Sequence, residues 1–95
     1  MAAYTHIASN STVQVTDAPV ELRSVCINTK GASSNILTLS EGVLVAGAVP
    51  ASATTIAIID TTANVGSIIF DVIVSNGIIA VLGTGTAADI TITTE

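Results

Sequence analysis

The sequence has very little charge and almost no aromatic side chains. Only 9% of its 95 residues are charged and 2% are aromatic, whereas 49% are hydrophobic. Arg23 and Lys30 stand against seven acids, which gives a formal net charge of −5. This balance repels phosphate backbones and anionic membranes, so we expect neither nucleic acid nor a membrane as a partner. One tyrosine and one phenylalanine also offer no platform on which bases could stack.

Cysteine is nearly absent as well, because Cys26 is the only one in the chain. A single cysteine forms no internal disulfide and no cysteine-based zinc site within one chain, which is typical of folding in a reducing compartment. Residues 1–6 contain neither the basic nor the apolar segment of a signal peptide, so we do not expect secretion by that route.

Long apolar runs are present but interrupted. Residues 42–59 and 72–88 are uncharged and approach the length of about 20 apolar residues that crosses a bilayer as a helix. Pro50 divides the first run, glycine turn signals divide the second, and Asp60 and Asp71 lie between the two. This pattern predicts buried strands separated by turns and not a transmembrane helix.

The residue types that are abundant favour β-structure. Val, Ile and Thr are frequent, and apolar side chains alternate with polar ones instead of recurring at helical spacing. This predicts an all-β fold: a single jelly-roll-like β-sandwich of seven or eight short antiparallel strands over residues 1–95, with residues 1–10 as an N-terminal arm. The predicted strands are residues 12–16, 20–29, 35–40, 54–60, 67–75, 78–82 and 89–95, and residues 43–50 form a short strand or a docking segment.

Turn signals and side-chain parity add detail to this prediction. The alternation in residues 20–29 shifts at residues 23–24, as it does at a β-bulge. Residues 30–34 are predicted to form a hairpin loop that pairs the flanking strands, and the Asn-Gly pair at 76–77 predicts a type I′ hairpin turn. Residues 67–75 are apolar on both faces, which predicts a strand that is covered on both sides.

Few residues are available for catalysis. His6 is the one histidine, and a nucleophile needs a base within reach and a group that orients this base. We therefore expect His6 to be a polar residue of the N-terminal arm or of a subunit contact. Cys26 lies between Val25 and Ile27 in a predicted core strand, and we expect it to be a buried, unreactive thiol.

The aspartates are assigned to turns and contacts. Asp60 closes a predicted strand and Asp89 opens one, so both are expected to accept hydrogen bonds in Asx-type turns. Asp71 lies inside an apolar strand and must face solvent, a partner or a ligand, of which solvent or an interface partner is favoured. No spacing among the acids matches a calcium loop or a divalent metal cluster, so we predict no metal site.

Residues 83–88 match the dinucleotide-binding pattern G-x-G-x-x-G/A and follow an apolar strand. That pattern binds a pyrophosphate only where the last small residue opens a helix. An alternating strand follows here instead, so we interpret the segment as a loop between two strands. Without a nucleophile, a paired base or a metal centre, the chain is predicted to be no enzyme, with no catalytic residue and no cofactor.

Three parts of the chain carry a resemblance. They are VELRSVCINT at residues 20–29, IAIID at residues 56–60, and FDVIVSNGI at residues 70–78 together with TAADITI at residues 86–92. These segments resemble a family of small tailed-phage virion proteins that decorate or cement the capsid. The resemblance implies a β-sandwich that assembles as a homotrimer, binds the major capsid protein on the outer surface of the virion and stabilises the shell, after assembly in the host cytoplasm.

The composition favours oligomerisation independently, because a small domain with so few charges would expose much apolar surface as a monomer. We predict that the docking surface comprises Tyr4 and His6 in the N-terminal arm together with Val43, Leu44 and Val45. Both segments lack an obvious strand partner in the sequence. The alternative function is a receptor- or carbohydrate-binding tip module of a phage tail or fibre, which uses the same kind of sandwich and trimer.

Overall fold

In a computed structural model, which describes residues 3–95, the chain folds into eight β-strands. They form two four-stranded sheets with the orders β1-β8-β3-β6 and β2-β7-β4-β5, and every strand pair is antiparallel. This strand order is that of a jelly roll, so the predicted all-β sandwich is confirmed. The strands are β1 (Ala3–Ile7), β2 (Ser11–Thr16), β3 (Val20–Thr29), β4 (Ile36–Glu41), β5 (Thr54–Asp60), β6 (Gly66–Val74), β7 (Ile78–Gly83) and β8 (Asp89–Thr94).

The core lies between the two sheets and is filled by the inward side chains of alternate residues. Its fully buried members are aliphatic, and each such side chain contributes about 1.5–3 kcal/mol when it leaves water. No aromatic ring is fully buried there; Phe70 only packs against the edge of the cluster. The largest apolar side chains that are fully buried in this core cluster are Leu22, Val25, Leu37, Leu39, Ile78, Leu82, Ile90 and Ile92.

The predicted β-bulge in β3 is confirmed. The register of β3 with both of its neighbours shifts between Leu22 and Ser24. Because one residue is added there, Leu22 and Val25 both point into the core although they are three positions apart. The same shift places Cys26 on the outer face, where it is half-buried, so the expectation of a buried core thiol is wrong.

Most connections cross from one sheet to the other. Among the eight strands described, β4 and β5 are the one consecutive pair that shares a sheet. Residues 30–34 therefore do not pair β3 with β4, and the two strands around residues 76–77 lie in different sheets, so both hairpin predictions are wrong. Gly77 has a φ of +91°, but Asn76 has no positive φ, which excludes a type I′ turn.

The N-terminal segment differs from the predicted arm. Residues 3–7 form β1, which pairs with β8 and places Tyr4 opposite Thr93 and His6 opposite Thr91. Only Ile7 of this strand is buried, so the sequence carries a weak apolar signal there. Residues 1–2 of the predicted arm lie outside the described residues.

Strand β6 is much more exposed than its sequence predicts. It is an edge strand, and of its nine residues only Val74 is buried. The prediction of a strand covered on both sides is therefore wrong within a single chain. Residues 43–50, predicted as a short strand or a docking segment, lie in the long loop between β4 and β5, where Val45 and Ala48 form an isolated bridge.

One end of the sandwich is held together by a buried amide. The Asn35 side chain accepts a hydrogen bond from the Thr61 hydroxyl at 2.6 Å and from the Ala88 N–H at 3.1 Å. Its amide nitrogen donates to Asn10 Oδ1 at 3.0 Å and to the Thr84 carbonyl at 2.8 Å. Asn35 thus links all four loops at this end, those after β1, β3, β5 and β7.

Candidate functional site

The predicted docking residues Tyr4 and His6 lie on the outer face of the first sheet. Tyr4 is 75% exposed. The His6 ring lies with Nε2 2.7 Å from Asp89 Oδ1, and Asn28 Nδ2 donates to the same carboxylate oxygen at 3.0 Å. Asn28 also donates to the Thr91 hydroxyl at 3.1 Å. His6 is therefore part of a polar row that crosses three strands, and not of a free arm.

The two aspartates expected in Asx turns differ in the structure. Asp60 Oδ1 accepts the Thr62 N–H at 2.9 Å and the Thr62 hydroxyl at 2.6 Å, which confirms an Asx turn. These bonds lower the pKa of Asp60 below its ordinary value. Asp89 forms the bonds to side chains described above instead, and the hydrogen bonds from Asn28 and then His6 lower its pKa.

The predicted docking residues Val43, Leu44 and Val45 lie in the β4–β5 loop, which is fixed to the outer face of the second sheet. The Gln14 side chain in β2 accepts the Leu44 N–H at 2.7 Å and donates to the Gly42 carbonyl at 3.0 Å. Val43 and Val45 are 46% and 64% exposed. Positive φ angles at the two residues after Val45 close a tight turn, so an apolar tip projects from an anchored loop.

These two predicted segments do not form one surface. Tyr4 and His6 alternate with buried Ile7 in β1, so they point away from the core on the side of the first sheet. The β4–β5 loop covers the second sheet, where Gly42 packs close to the fully buried Ile79. The predicted docking surface is therefore two separate surfaces on opposite sides of the sandwich.

The largest group of exposed apolar side chains was not predicted as a site. It follows the two edge strands β5 and β6 and the loop between them, and it includes six of the eleven large apolar residues of high exposure within residues 3–95. We call this surface the apolar edge. Its members are Ile58, Val65, Ile68, Ile69, Val72 and Ile73, with exposed fractions from 37% to 82%. Ile58 points out from the second sheet, whereas Ile69 and Ile73 point out from the first, so the apolar edge has two flanks on opposite faces of the sandwich. The signal was present in the sequence as a strand that is apolar on both faces.

The apolar edge surrounds an opening between the sheets. A cleft of about 220 Å³ lies where β5 turns into β6, and the buried core residues Ile27 and Ile59 reach its floor beside Val65 and Ile68. The β5–β6 loop lines the rest of it. The core is thus reached by a cleft at the side where the exposed apolar residues are concentrated.

Charge near the apolar edge is paired within the chain. Strand β6 contains a second bulge, because Phe70 and Asp71 together lie opposite the single residue Arg23 of β3. Asp71 has a φ of +49° at this bulge. Its carboxylate lies 2.8 Å from Arg23 Nε, and Glu95 accepts a hydrogen bond from the same guanidinium at 3.0 Å. Glu21 lies 4.0 Å from it. Asp71 therefore faces a partner in its own chain.

The described residues contain no cluster of side chains suited to a metal ion. Within residues 3–95, no three or more His, Cys, Asp or Glu side chains come together as they would around a metal ion. Residues 83–88 connect β7 to β8, which confirms a loop between strands at the G-x-G-x-x-A segment. No helix in residues 3–95 has the length and apolar character to cross a membrane.

Comparison with known proteins shows the fold and no family. No family model and no curated protein matches this sequence. Among solved structures the chain is similar to the Drosophila NLP core, a structure described for its insight into pentamer formation and histone binding. The two share 9% sequence identity with a TM-score of 0.56, over 98% of this chain and 96% of the other.

Proposed function

We propose that this protein is a structural decoration protein that self-associates, as a homotrimer, and binds the outer surface of a tailed-phage capsid through the major capsid protein. The observation that carries the proposal is the large exposed apolar surface of the chain, whose residues 3–95 contain no cluster of metal-ligating side chains. Monomeric soluble proteins rarely expose such patches, whereas proteins built for association do. The sequence resemblance supplies the class of partner.

The two exposed apolar groups suit two different contacts. The apolar edge lies along two strands of the sandwich, and exposed apolar side chains on such a rigid framework suit a permanent contact between subunits. The tip at Val43 and Val45 projects from a loop that Gln14 holds in place, and it suits insertion between coat subunits. A symmetric oligomer presents several such tips together, so weak individual contacts add through avidity.

The structural neighbour supports the self-association and not the histone partner. That neighbour, which has a similar fold, is described as forming a pentamer, whereas the trimer proposed here follows from the sequence resemblance alone. Binding of a basic partner needs free acidic groups. In this chain six of the seven acids are engaged in contacts within the chain: Glu21, Glu41, Asp60, Asp71, Asp89 and Glu95.

The alternative, a carbohydrate-binding tip module, has little aromatic surface to use. Sugar sites are commonly built on exposed aromatic rings, and this chain has Tyr4 and Phe70. Phe70 packs against the core, which leaves Tyr4 exposed. Binding of the fluorescently labelled protein to a glycan array would support this alternative against capsid decoration.

Co-sedimentation with capsid shells tests the proposal. The shells are assembled from the major capsid protein encoded in the same genome, and the ligand is the purified wild-type chain. We expect saturable binding that falls at least tenfold in V45K, because a lysine at the tip cannot enter an apolar cleft without losing its hydration. The control T12K places the same charge on the exposed face of β2 and should bind as the wild type does. Absence of wild-type binding to intact shells would overturn the proposal.

A further inference from the structure

We infer that Asn76 is a site of spontaneous covalent modification, at which the side-chain amide is converted to a carboxylate in the folded protein. Asn76 precedes Gly77 in the turn that connects β6 to β7. The inference concerns the chemistry of this turn and is independent of the proposed function.

The reaction needs only these two neighbouring residues and water. The backbone nitrogen of Gly77 attacks Cγ of the Asn76 side chain, and a five-membered imide ring forms as the Cγ–Nδ2 bond breaks. The proton of the Gly77 N–H joins the departing nitrogen, which leaves as ammonia. A water molecule then opens the ring at either carbonyl and yields aspartate or isoaspartate, in which the main chain runs through Cγ. The net change converts an amide and water to a carboxylic acid and ammonia.

Gly77 leaves the attacking nitrogen accessible. It has no side chain that could shield this nitrogen. A Cβ atom at this position would lie 2.6 Å from the Thr16 carbonyl oxygen, so the fold requires glycine here. The Gly77 carbonyl accepts the Gly42 N–H at 3.1 Å, whereas no backbone hydrogen bond from the Gly77 N–H is present within residues 3–95.

The Asn76 side chain is free to turn toward this nitrogen. It is exposed, and the one hydrogen bond of this residue within residues 3–95 is made by its backbone N–H, which donates to Glu41 at 3.1 Å. The side chains of Asn10, Asn28 and Asn35 are instead held by hydrogen bonds to other groups. Their amides are therefore less able to reach the nitrogen of the next residue.

Asn64 provides an internal comparison. Like Asn76 it is exposed in a loop, the one between β5 and β6. It precedes Val65, however, and the two methyl groups on the valine Cβ crowd the backbone nitrogen that would have to attack. The residue that follows each asparagine thus favours reaction at Asn76 over reaction at Asn64.

The product adds a negative charge beneath the apolar tip. Asn76 and Glu41 line a cleft of about 370 Å³ whose other walls include Val43 and Val45. Glu41 Oε2 accepts the Ser75 and Asn76 N–H groups, so a carboxylate on residue 76 repels it. Under the proposed function this charge would lie beside the surface that enters the coat, although the modification does not depend on that contact.

Peptide mapping by mass spectrometry tests the inference. The folded wild-type chain is incubated at mildly alkaline pH in water enriched in the heavy oxygen isotope and is then digested at acid pH, where the reaction is slow. We expect residue 76 to take up heavy oxygen about tenfold or more faster than residue 64, because Gly77 leaves the nitrogen uncrowded and Val65 does not. The modified peptide should separate into two products, aspartate and isoaspartate, since the ring opens at either carbonyl.

The variant V65G is the matched positive control. It gives Asn64 a glycine neighbour at an exposed position, so the uptake at residue 64 should rise toward that at residue 76. An Asn76 that stays intact in the folded protein while Asn64 reacts in V65G would overturn the inference. Reaction of Asn76 only after the chain is unfolded in urea would overturn it as well, because the folded turn would then hold the nitrogen away from Cγ.

Discussion

At the scale of single residues, Asn35 allows polar groups of four loops to be buried in an otherwise apolar chain. Asn35 is fully buried, and its amide and carbonyl groups are shared among the loops at one end of the sandwich. Every buried side-chain nitrogen and oxygen in residues 3–95 has a hydrogen-bond partner. Because buried polar groups with all their hydrogen bonds made fix one arrangement of the loops, the Asn35 network orders this end of the sandwich. It does so in a chain that has few aromatic or charged side chains for this purpose.

Replacement of Asn35 by alanine should be among the most destabilising substitutions. It would leave the Thr61 hydroxyl and the Ala88 N–H without their acceptor, and each unsatisfied buried group costs about 1–3 kcal/mol. We expect N35A to lower the free energy of unfolding by about 3 kcal/mol in urea titrations. The control N28A removes an exposed asparagine of the polar row and should cost less than about 1 kcal/mol. Equal effects of the two substitutions would contradict the role of the Asn35 network.

Stability should fall at acid pH partly through Asp89. The pKa of this carboxyl is lowered from its ordinary value of 3.8 by hydrogen bonds from Asn28 and His6, so the folded state favours the carboxylate. The stabilisation is fully present above the unfolded pKa and is lost as the pH falls through the folded pKa. We expect D89N to reduce the loss of unfolding free energy between about pH 5 and pH 2. The control D17N changes an aspartate in the loop between β2 and β3. It should lose as much unfolding free energy over the same pH range as the wild type does.

At the scale of elements, the sequence predicts strands better than it predicts their partners. Strand β5 has the predicted bounds, and the bulge in β3 is visible as a shift in the alternation. Local turn signals show that the chain reverses, but not whether the reversed strand joins the same sheet or crosses to the other one. The loop at residues 30–34 and the turn at residues 76–77 both cross, because the core that selects the sheet is built from strands far apart in sequence.

The β4–β5 loop depends on Gln14, a contact that the sequence does not reveal. The Gln14 side chain holds Leu44 and Gly42 against the second sheet. We expect Q14A to free the loop and to raise the exchange rate of the Leu44 amide hydrogen about tenfold or more, as measured by hydrogen–deuterium exchange. The control T12A changes an exposed residue of the same strand and should leave this rate unchanged. A Leu44 amide that stays protected in Q14A would show that the apolar tip is held by other contacts.

At the scale of the whole molecule, a strand buried within one chain and a strand buried between chains have the same sequence pattern, because both are apolar at the covered positions. The apolar residues on both faces of β6 predicted a strand covered on both sides, and the single chain covers only one end of it. If copies meet at the apolar edge, another molecule covers the side chains of β6 that one chain leaves exposed. The prediction of a strand covered on both sides would then apply to the oligomer and not to the single chain.

The thermal midpoint of unfolding should therefore depend on protein concentration. An oligomer that dissociates on unfolding is stabilised by mass action, so its midpoint rises as the concentration rises. We expect such a rise for the wild type and for V45K in scanning calorimetry over a hundredfold concentration range. I73K places a charge in the apolar edge and should therefore dissociate the oligomer. Because it then unfolds as a single chain, its midpoint should be lower and should not change with concentration. A wild-type midpoint that is constant over this range would show that the single sandwich is stable without a partner, and that its exposed isoleucines are tolerated in water.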